Sequence, residues 1–319
     1  MKTSAVLAAI LIAAGVLIFA GAFFAAGFDF SVLDTATYET KTYSVGESFD
    51  RIEIQSAETD VVFKPSEDGA ASVVWQEKNG VRQEIFVENG TLHIVSAETQ
   101  AWYERPLFSF RSPSMTVYLP QSEYAALTVD CRTGDLSLPA AFNFGDIDVS
   151  VSTGDVNCAS SAAGSVRIAS HTGDITLNGV RAGKIGLSVT TGDIKLKNTS
   201  CDEDLLTDFG TGTAELTEVA CNNLYAKGST GDIRLTDTVA AARLQIECGT
   251  GDVRFDNCDA GQIFVKTSTG DVFGTLRTEK VFAAKTSTGS VSVPDTAAGG
   301  KCEITASTGD IRIGIANRK

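Results

Sequence analysis

After about residue 40 the chain alternates apolar and polar residues almost without a break, and no helical period interrupts it. Leu127, Val129 and Cys131 precede Thr133-Gly134, and Leu136 and Leu138 follow it. Ile147, Val149 and Val151 precede Thr153-Gly154, and Ile175 and Leu177 follow Thr172-Gly173. A period of two on both sides of a glycine predicts two short strands sharing one buried face.

The same unit returns ten times, with glycines at 134, 154, 173, 192, 212, 231, 251, 270, 289 and 309, in steps of 19 or 20. A third inward position falls eight residues after the threonine, at Val180, Val219, Thr238, Cys258 and Thr296, usually just after Asn, Asp, Glu or Gly. Two strands and a further corner make one rung, and a fixed period of this size marks a solenoid. The pattern predicts an all-β, single-chain parallel β-solenoid (β-helix) of about ten 19–20-residue rungs. At about 4.8 Å per rung that is a rod on the order of 50 Å long. One inserted residue would turn a strand's apolar set outward, which explains the constant rung length. The last strand, DIRIGIANRK, is expected to form the open edge, blunted by Arg318 and Lys319.

Residues 41–125 do not keep the repeat. They read as strands RIEIQS, TDVVFKP, ASVVWQE, EIFVEN, TLHIVS and MTVYLP, with Asn89-Gly90 a hairpin turn. SAETDVVF, at 56–63, resembles an eroded rung with Asp60 in the repeat aspartate's place. The expectation is a β-rich N-terminal cap and first rung over 41–125, followed by the TGD-repeat solenoid over 126–319.

Composition adds a location. Residues 5–28 carry no charge and are long enough to span a bilayer as a helix. The competing reading is a secretory signal cleaved after Ala20-Gly21-Ala22, but its apolar core would exceed the roughly 7–15 residues usual there. The reading adopted is a short cytoplasmic N-terminus (1–4), a transmembrane signal-anchor helix (5–28) and a linker (29–40). Lys2 stays inside, and Asp29, Asp34 and Glu39 lie outside. The cell membrane is then the site, single-pass, with the solenoid outside.

The whole chain has 26 Lys+Arg against 40 Asp+Glu. Setting aside Lys2, the part beyond residue 28 has 25 against 40, or −15. Such a body repels nucleic acid and anionic lipid, so the partners expected are envelope or surface proteins or glycans, with the membrane reached only through the N-terminal helix.

An aspartate follows the glycine at Asp135, Asp155, Asp174, Asp193, Asp232, Asp252, Asp271 and Asp310, and is replaced at Thr213 and Ser290. Carboxylates stacked at rung spacing repel by roughly 0.9 kcal/mol even at the dielectric of water, so something must offset them. Turn chemistry is the main reading: glycine takes positive φ, and Thr and Asp bond to local backbone. The alternative is a cation ladder over Asp135, Asp155, Asp174, Asp193, Asp232, Asp252 and Asp271, with calcium the cation such oxygens favour. One carboxylate per rung is a sparse shell, and the nine-residue calcium-roll repeat is absent. No cofactor is called for otherwise.

Seven cysteines are read as buried free thiols on inward positions, Cys131, Cys158, Cys248, Cys258 and Cys302 among them. Cys201 and Cys221 share one phase in adjacent rungs and are the pair to test for a bridge. No spacing suggests zinc. The two histidines, His93 and His171, have no catalytic motif around them. Lys195, Arg234 and Arg254, two residues after their aspartates, form an outward basic stripe. That stripe is the nearest approach to a polysaccharide-active β-helix enzyme, the alternative to a non-catalytic module. Residues 99–113 (TQAWYERPLFSFRSP) set Trp102, Tyr103, Arg105 and Phe108 in one loop, either closing the end of the solenoid or contacting a partner.

The entry IEIQSAETDVVF, the VYLP before the first rung, the serial STGDI/STGDV strands and the N-terminal anchor together resemble the bacterial putative-adhesin, or Toastrack-type, β-strand repeat family. The resemblance covers residue 40 to the end. It implies a single-chain β-solenoid on the cell envelope, and a role in adhesion or envelope-stress sensing. It brings no catalytic residues with it.

Overall fold

The structure, a computed structural model, describes residues 2–25, 38–78, 81–98 and 113–316. Among the described residues one helix, α1 (Lys2–Ala25), precedes an all-β body. The described side chains of α1 are those of residues 11–21, 23 and 24. Among the described residues no helix is long and apolar enough to cross a membrane.

The repeat forms stacked parallel rungs with three sides. In one rung the first side is Ser165–Thr172, the second Ile175–Asn178 and the short third Arg181–Ala182. Each side pairs in register with its equivalent in the next rung: Val166 with Ile185, Ile175 with Ile194, Arg181 with Ser200. The alternating residues read as inward are buried, including Leu127, Val129, Ile147, Val149, Leu136, Ile175 and Val253. Val180, Val219, Thr238 and Cys258 are buried too, whereas Thr296, in a terminal rung, is half-buried. The corner before this position is left-handed: Gly179, Asn198, Glu218, Asp237 and Asn257 have φ of 73°, 49°, 55°, 49° and 55°. Side chains that tolerate this region fill the column except at Glu218.

The glycine of each TGD corner meets two demands. Gly154 has φ +144°, and a Cβ on it would lie 2.1 Å from the carbonyl oxygen of Gly134 in the rung below. The same approach recurs up the column, as at Gly173 and Gly192, both 2.1 Å. Glycine is required both by backbone conformation and by the closeness of the next rung's backbone.

Before the repeat, seven strands build the N-terminal end: β1 (Tyr38–Val45), β2 (Arg51–Glu58), β3 (Asp60–Pro65), β4 (Ala71–Lys78), β5 (Val81–Glu88), β6 (Thr91–Glu98) and β7 (Ser114–Leu119). β2 and β3 are the eroded rung. Glu58 pairs with Thr133, which puts Thr59 at the glycine position and Asp60 at the aspartate position. β6 and β7 lie parallel on β2 and β3 and so form one more rung beyond it. β5 pairs antiparallel with β6 through the Asn89-Gly90 turn, where φ is 50° and 77°; β4 pairs antiparallel with β7, and β1 with β4. The end is thus closed by a reversed layer whose Trp75, Val73 and Ala71 are buried.

The other end corrects the expected order. The strands Gly300–Thr308 and Ile311–Ile315 do not end the rod. They lie between Val253–Thr269/Val272–Leu276 on one side and Lys280–Thr288/Val291–Ser292 on the other. The open edge is therefore KVFAAKTST, at 280–288, with Val281 and Val291 exposed. DIRIGI is interior, and Arg318 and Lys319 lie outside the described residues.

Replacing Gly154 by Ala should lower stability by at least ~2 kcal/mol in a denaturant titration, because strain and a backbone clash act together. Gly46, with nothing within 4 Å of an added Cβ, should accept Ala with little change.

Candidate functional site

The aspartate column runs along one edge of the rod, and its carboxylates are engaged across rungs rather than within their own turn. The Oδ1 of each aspartate accepts the backbone N–H of the residue at the same position in the adjacent rung. Asp135 donates to Asp60 at 3.0 Å, Asp155 to Asp135 at 2.8 Å, Asp174 to Asp155 at 2.7 Å, and Asp193 to Asp174 at 2.9 Å. Thr213 donates to Asp193 at 2.8 Å. The series resumes with Asp252 to Asp232 at 3.0 Å, Asp271 to Asp252, Asp310 to Asp271 and Ser290 to Asp310, each at 2.8 Å. In the same corners the glycine N–H, except that of Gly289 in the edge rung, donates to the next rung's threonine carbonyl, as Gly134 does to Thr153 at 2.9 Å. The corner is closed by a side-chain acceptor where the backbone turns. A hydrogen bond to a charged acceptor is worth about 1.5–3 kcal/mol.

The second oxygens meet the basic residues that project beside them. Lys195 Nζ lies 2.8 Å from Asp174 and 3.2 Å from Asp193. Arg234 reaches Asp232 at 2.8 Å and Glu215 at 3.0 Å. Arg312 spans Asp310 at 2.6 Å and Asp271 at 2.8 Å. Two members of the expected basic stripe, Lys195 and Arg234, thus partner the column. Together the amides and cations offset the repulsion among the aspartates. Among the described residues no group of three or more His, Cys, Asp and Glu side chains is placed to hold a metal ion.

The pKa shifts follow this geometry. Desolvation raises the Asp174 pKa, but the Asp193 amide and Lys195 outweigh it, so its pKa is lowered. The Ser165 hydroxyl, then its amide, lowers that of Asp146, on the rod's third corner. The Ser290 amide lowers that of Asp310. Lys195 is raised, mainly by its hydrogen bond to Asp174.

All seven cysteines are buried and free. Burial pushes the thiols of Cys131, Cys158, Cys221 and Cys302 up to about 12, which keeps them protonated at neutral pH. Cys201 and Cys221 are register partners, both pointing inward. His171 is exposed at a corner. His93 lies 3.3 Å from Glu53 and stacks on Phe86 with ring centroids 5.0 Å apart.

Trp102, Tyr103, Arg105 and Phe108 lie outside the described residues, but the points where their segment joins the fold are fixed. β6 ends and β7 begins where the rungs of the repeat have their TG corner. The Asp60 N–H, which has no aspartate of a preceding rung to meet, donates to the Pro113 carbonyl at 3.0 Å. β6 and β7 therefore stand on either side of the corner position in the outermost parallel rung, at the head of the aspartate column. The sequence pattern missed this because the segment does not look like a rung. The signal was the in-phase pair TLHIVS and MTVYLP on either side of it.

The chain belongs to the Toastrack DUF4097 family, whose model matches residues 49–210 and again 202–319. No curated protein matches it in sequence. Among solved structures it is similar to a putative adhesin from Bacteroides fragilis, with 14% identity over 87% of this chain and 97% of that one and a TM-score of 0.44. A putative adhesin from Parabacteroides distasonis matches with 15% identity over 86% and 98%, TM-score 0.45. A putative lipid binding protein from the same species matches with 15% identity over 88% and 98%, TM-score 0.43. Likeness at this level says nothing of shared ligands.

Asp174→Ala should cost about 1–3 kcal/mol, because the Asp193 amide loses its acceptor, while Asp174→Asn, which keeps an oxygen there, should cost less. The depressed carboxyls also set a pH dependence. Their unfolded values lie near 4 and their folded values below it, so their stabilisation is complete above about pH 5 and is lost as pH falls through the folded values. Thermal melting from pH 6 to pH 2.5 should show that loss in the wild type, and a smaller one in Asp174→Asn.

Proposed function

We propose that the protein is a non-catalytic recognition module of the bacterial envelope, held to the membrane by its N-terminal helix with the solenoid on the outer side. The uncharged run at 5–28, preceded by Lys2 and followed by acidic residues, supports the anchor and its orientation. The acidic, rigid rod supports a structural and binding role over an enzymatic one. Two of the three outward basic residues that a polysaccharide-active site would use are already paired with the column.

The recognition reading is carried by the composition of residues 99–112, between β6 and β7, together with the covering of the rung those strands form. The outermost parallel rung is already covered by β4 and β5. A segment rich in Trp, Tyr, Phe and Arg is not needed to close that end, and such residues dominate the energetics of protein and glycan contacts. The proposed contact residues are Trp102, Tyr103, Arg105 and Phe108, and the proposed partners are envelope or surface proteins or glycans.

Changing Trp102 and Tyr103 together to Ala should leave the melting temperature within about 2 °C of wild type. The same change should abolish retention of envelope components in a pull-down from intact cells. A large drop in melting temperature would make the segment part of the cap. Protease added to intact cells should degrade the solenoid and leave a membrane-embedded N-terminal fragment; protection of the solenoid would overturn the orientation.

A further inference from the structure

The exchange of order at the distal end creates a slot. The short strap Arg277–Lys280 leads from Leu276 to the edge strand Lys280–Thr288. It carries that strand two rung spacings, about 10 Å, beyond Val253–Thr269, too far for direct pairing. The strap is fixed to the rungs below as well as to the inserted rung, whose Gly300 pairs with Lys280 and whose lead-in Thr296 donates its hydroxyl to the Lys280 carbonyl. The Arg277 N–H donates to the Cys258 carbonyl at 2.8 Å, its Nε to the Asn257 carbonyl at 2.7 Å, and its Nη2 to Asp237 at 3.2 Å. Lys280, itself buried, places Nζ 2.6 Å from Asp259, which also accepts from Thr278 Oγ1 at 3.0 Å. Among the described residues the edge strands 280–288 and 291–292 pair only with the strands that fill the slot.

We propose that this slot is an acceptor for the C-terminal rung, residues 300–315, of a second copy of the chain, so that two copies join at the ends distal to their N-termini by reciprocal exchange of that rung. The chain supplies the rung last, after both walls of the slot. The link from Ser292 to Gly300 contains Pro294 and has no regular structure over 293–299. The occupant's chemistry is fixed by the contacts the chain already makes to itself. Arg312 bridges Asp310 to Asp271 of the slot, the Asp310 N–H donates to Asp271, and Cys302 and Ile304 pair with Ile263 and Val265. A rung from another copy makes every one of these contacts, and what changes is the path of residues 293–299, with the bond from the Thr296 hydroxyl to the Lys280 carbonyl.

The test uses full-length chains in detergent, carrying two different tags, unfolded together and refolded at high concentration. Doubly tagged dimers of twice 33.5 kDa are expected after co-refolding, and none when the two are refolded apart and then mixed. A charge exchange separates this from association through the N-terminal helices. Arg312→Asp and Asp271→Arg each place like charges across the chain's own slot, whereas in a mixture each slot finds a matching rung in the other chain. The mixture should give heterodimers in excess over the homodimers of either variant alone. Monomers throughout for the wild type, or dimers indifferent to the charge exchange, would overturn the proposal. If the variants fail to fold, the tagged wild-type arm still decides.

Discussion

The carboxylate of one rung closing on the amide of the next is the contact on which the rest of this rod depends. A solenoid must turn a corner on every rung, and at the corner the regular ladder of backbone bonds is interrupted. Gly supplies the positive φ and leaves room for the neighbouring backbone, and Asp supplies the missing acceptor. Nine such bonds link the column from Asp60 to Ser290. The charges this accumulates are balanced by the amides and by Lys195, Arg234 and Arg312. Thus TGD specifies rung-to-rung cohesion, and the chemistry it displays is largely consumed in holding the rod together.

With the column engaged in cohesion, variation is concentrated at the ends. At the N-terminal end a reversed layer of β4 and β5 pairs with β7 and β6 and covers the outermost parallel rung. At the distal end the last rung enters between two earlier ones and leaves an apolar edge exposed at Val281.

Much of the fold was legible because a period of two, punctuated every 19 or 20 residues, fixes which side chains face inward whatever their partners. The second corner was visible in the Gly, Glu, Asp and Asn before Val180, Val219, Thr238 and Cys258, though its left-handed backbone was not. The acceptor role of the aspartates was read as local because a sequence shows what lies near along the chain, and the amide each one binds is about 19 residues away. Rung order was hidden for a related reason: every rung carries the same pattern, so periodicity is satisfied by either order. The trace of the exchange was Arg277, a charged residue eight positions after Thr269, where five other rungs bury Val180, Thr199, Val219, Thr238 and Cys258. It marks the place where the third side gives way to the strap.

The claim that the aspartates act as inter-rung acceptors is tested most directly by residue-resolved amide hydrogen exchange in the native protein. Asp155, Asp174, Asp193, Thr213, Asp252 and Asp271 each donate to a carboxylate below. Asp232 stands above Thr213, which has no carboxylate to offer. The account predicts strong protection at the six and fast exchange at Asp232 alone. Equal protection at all seven, or fast exchange throughout the column, would contradict it.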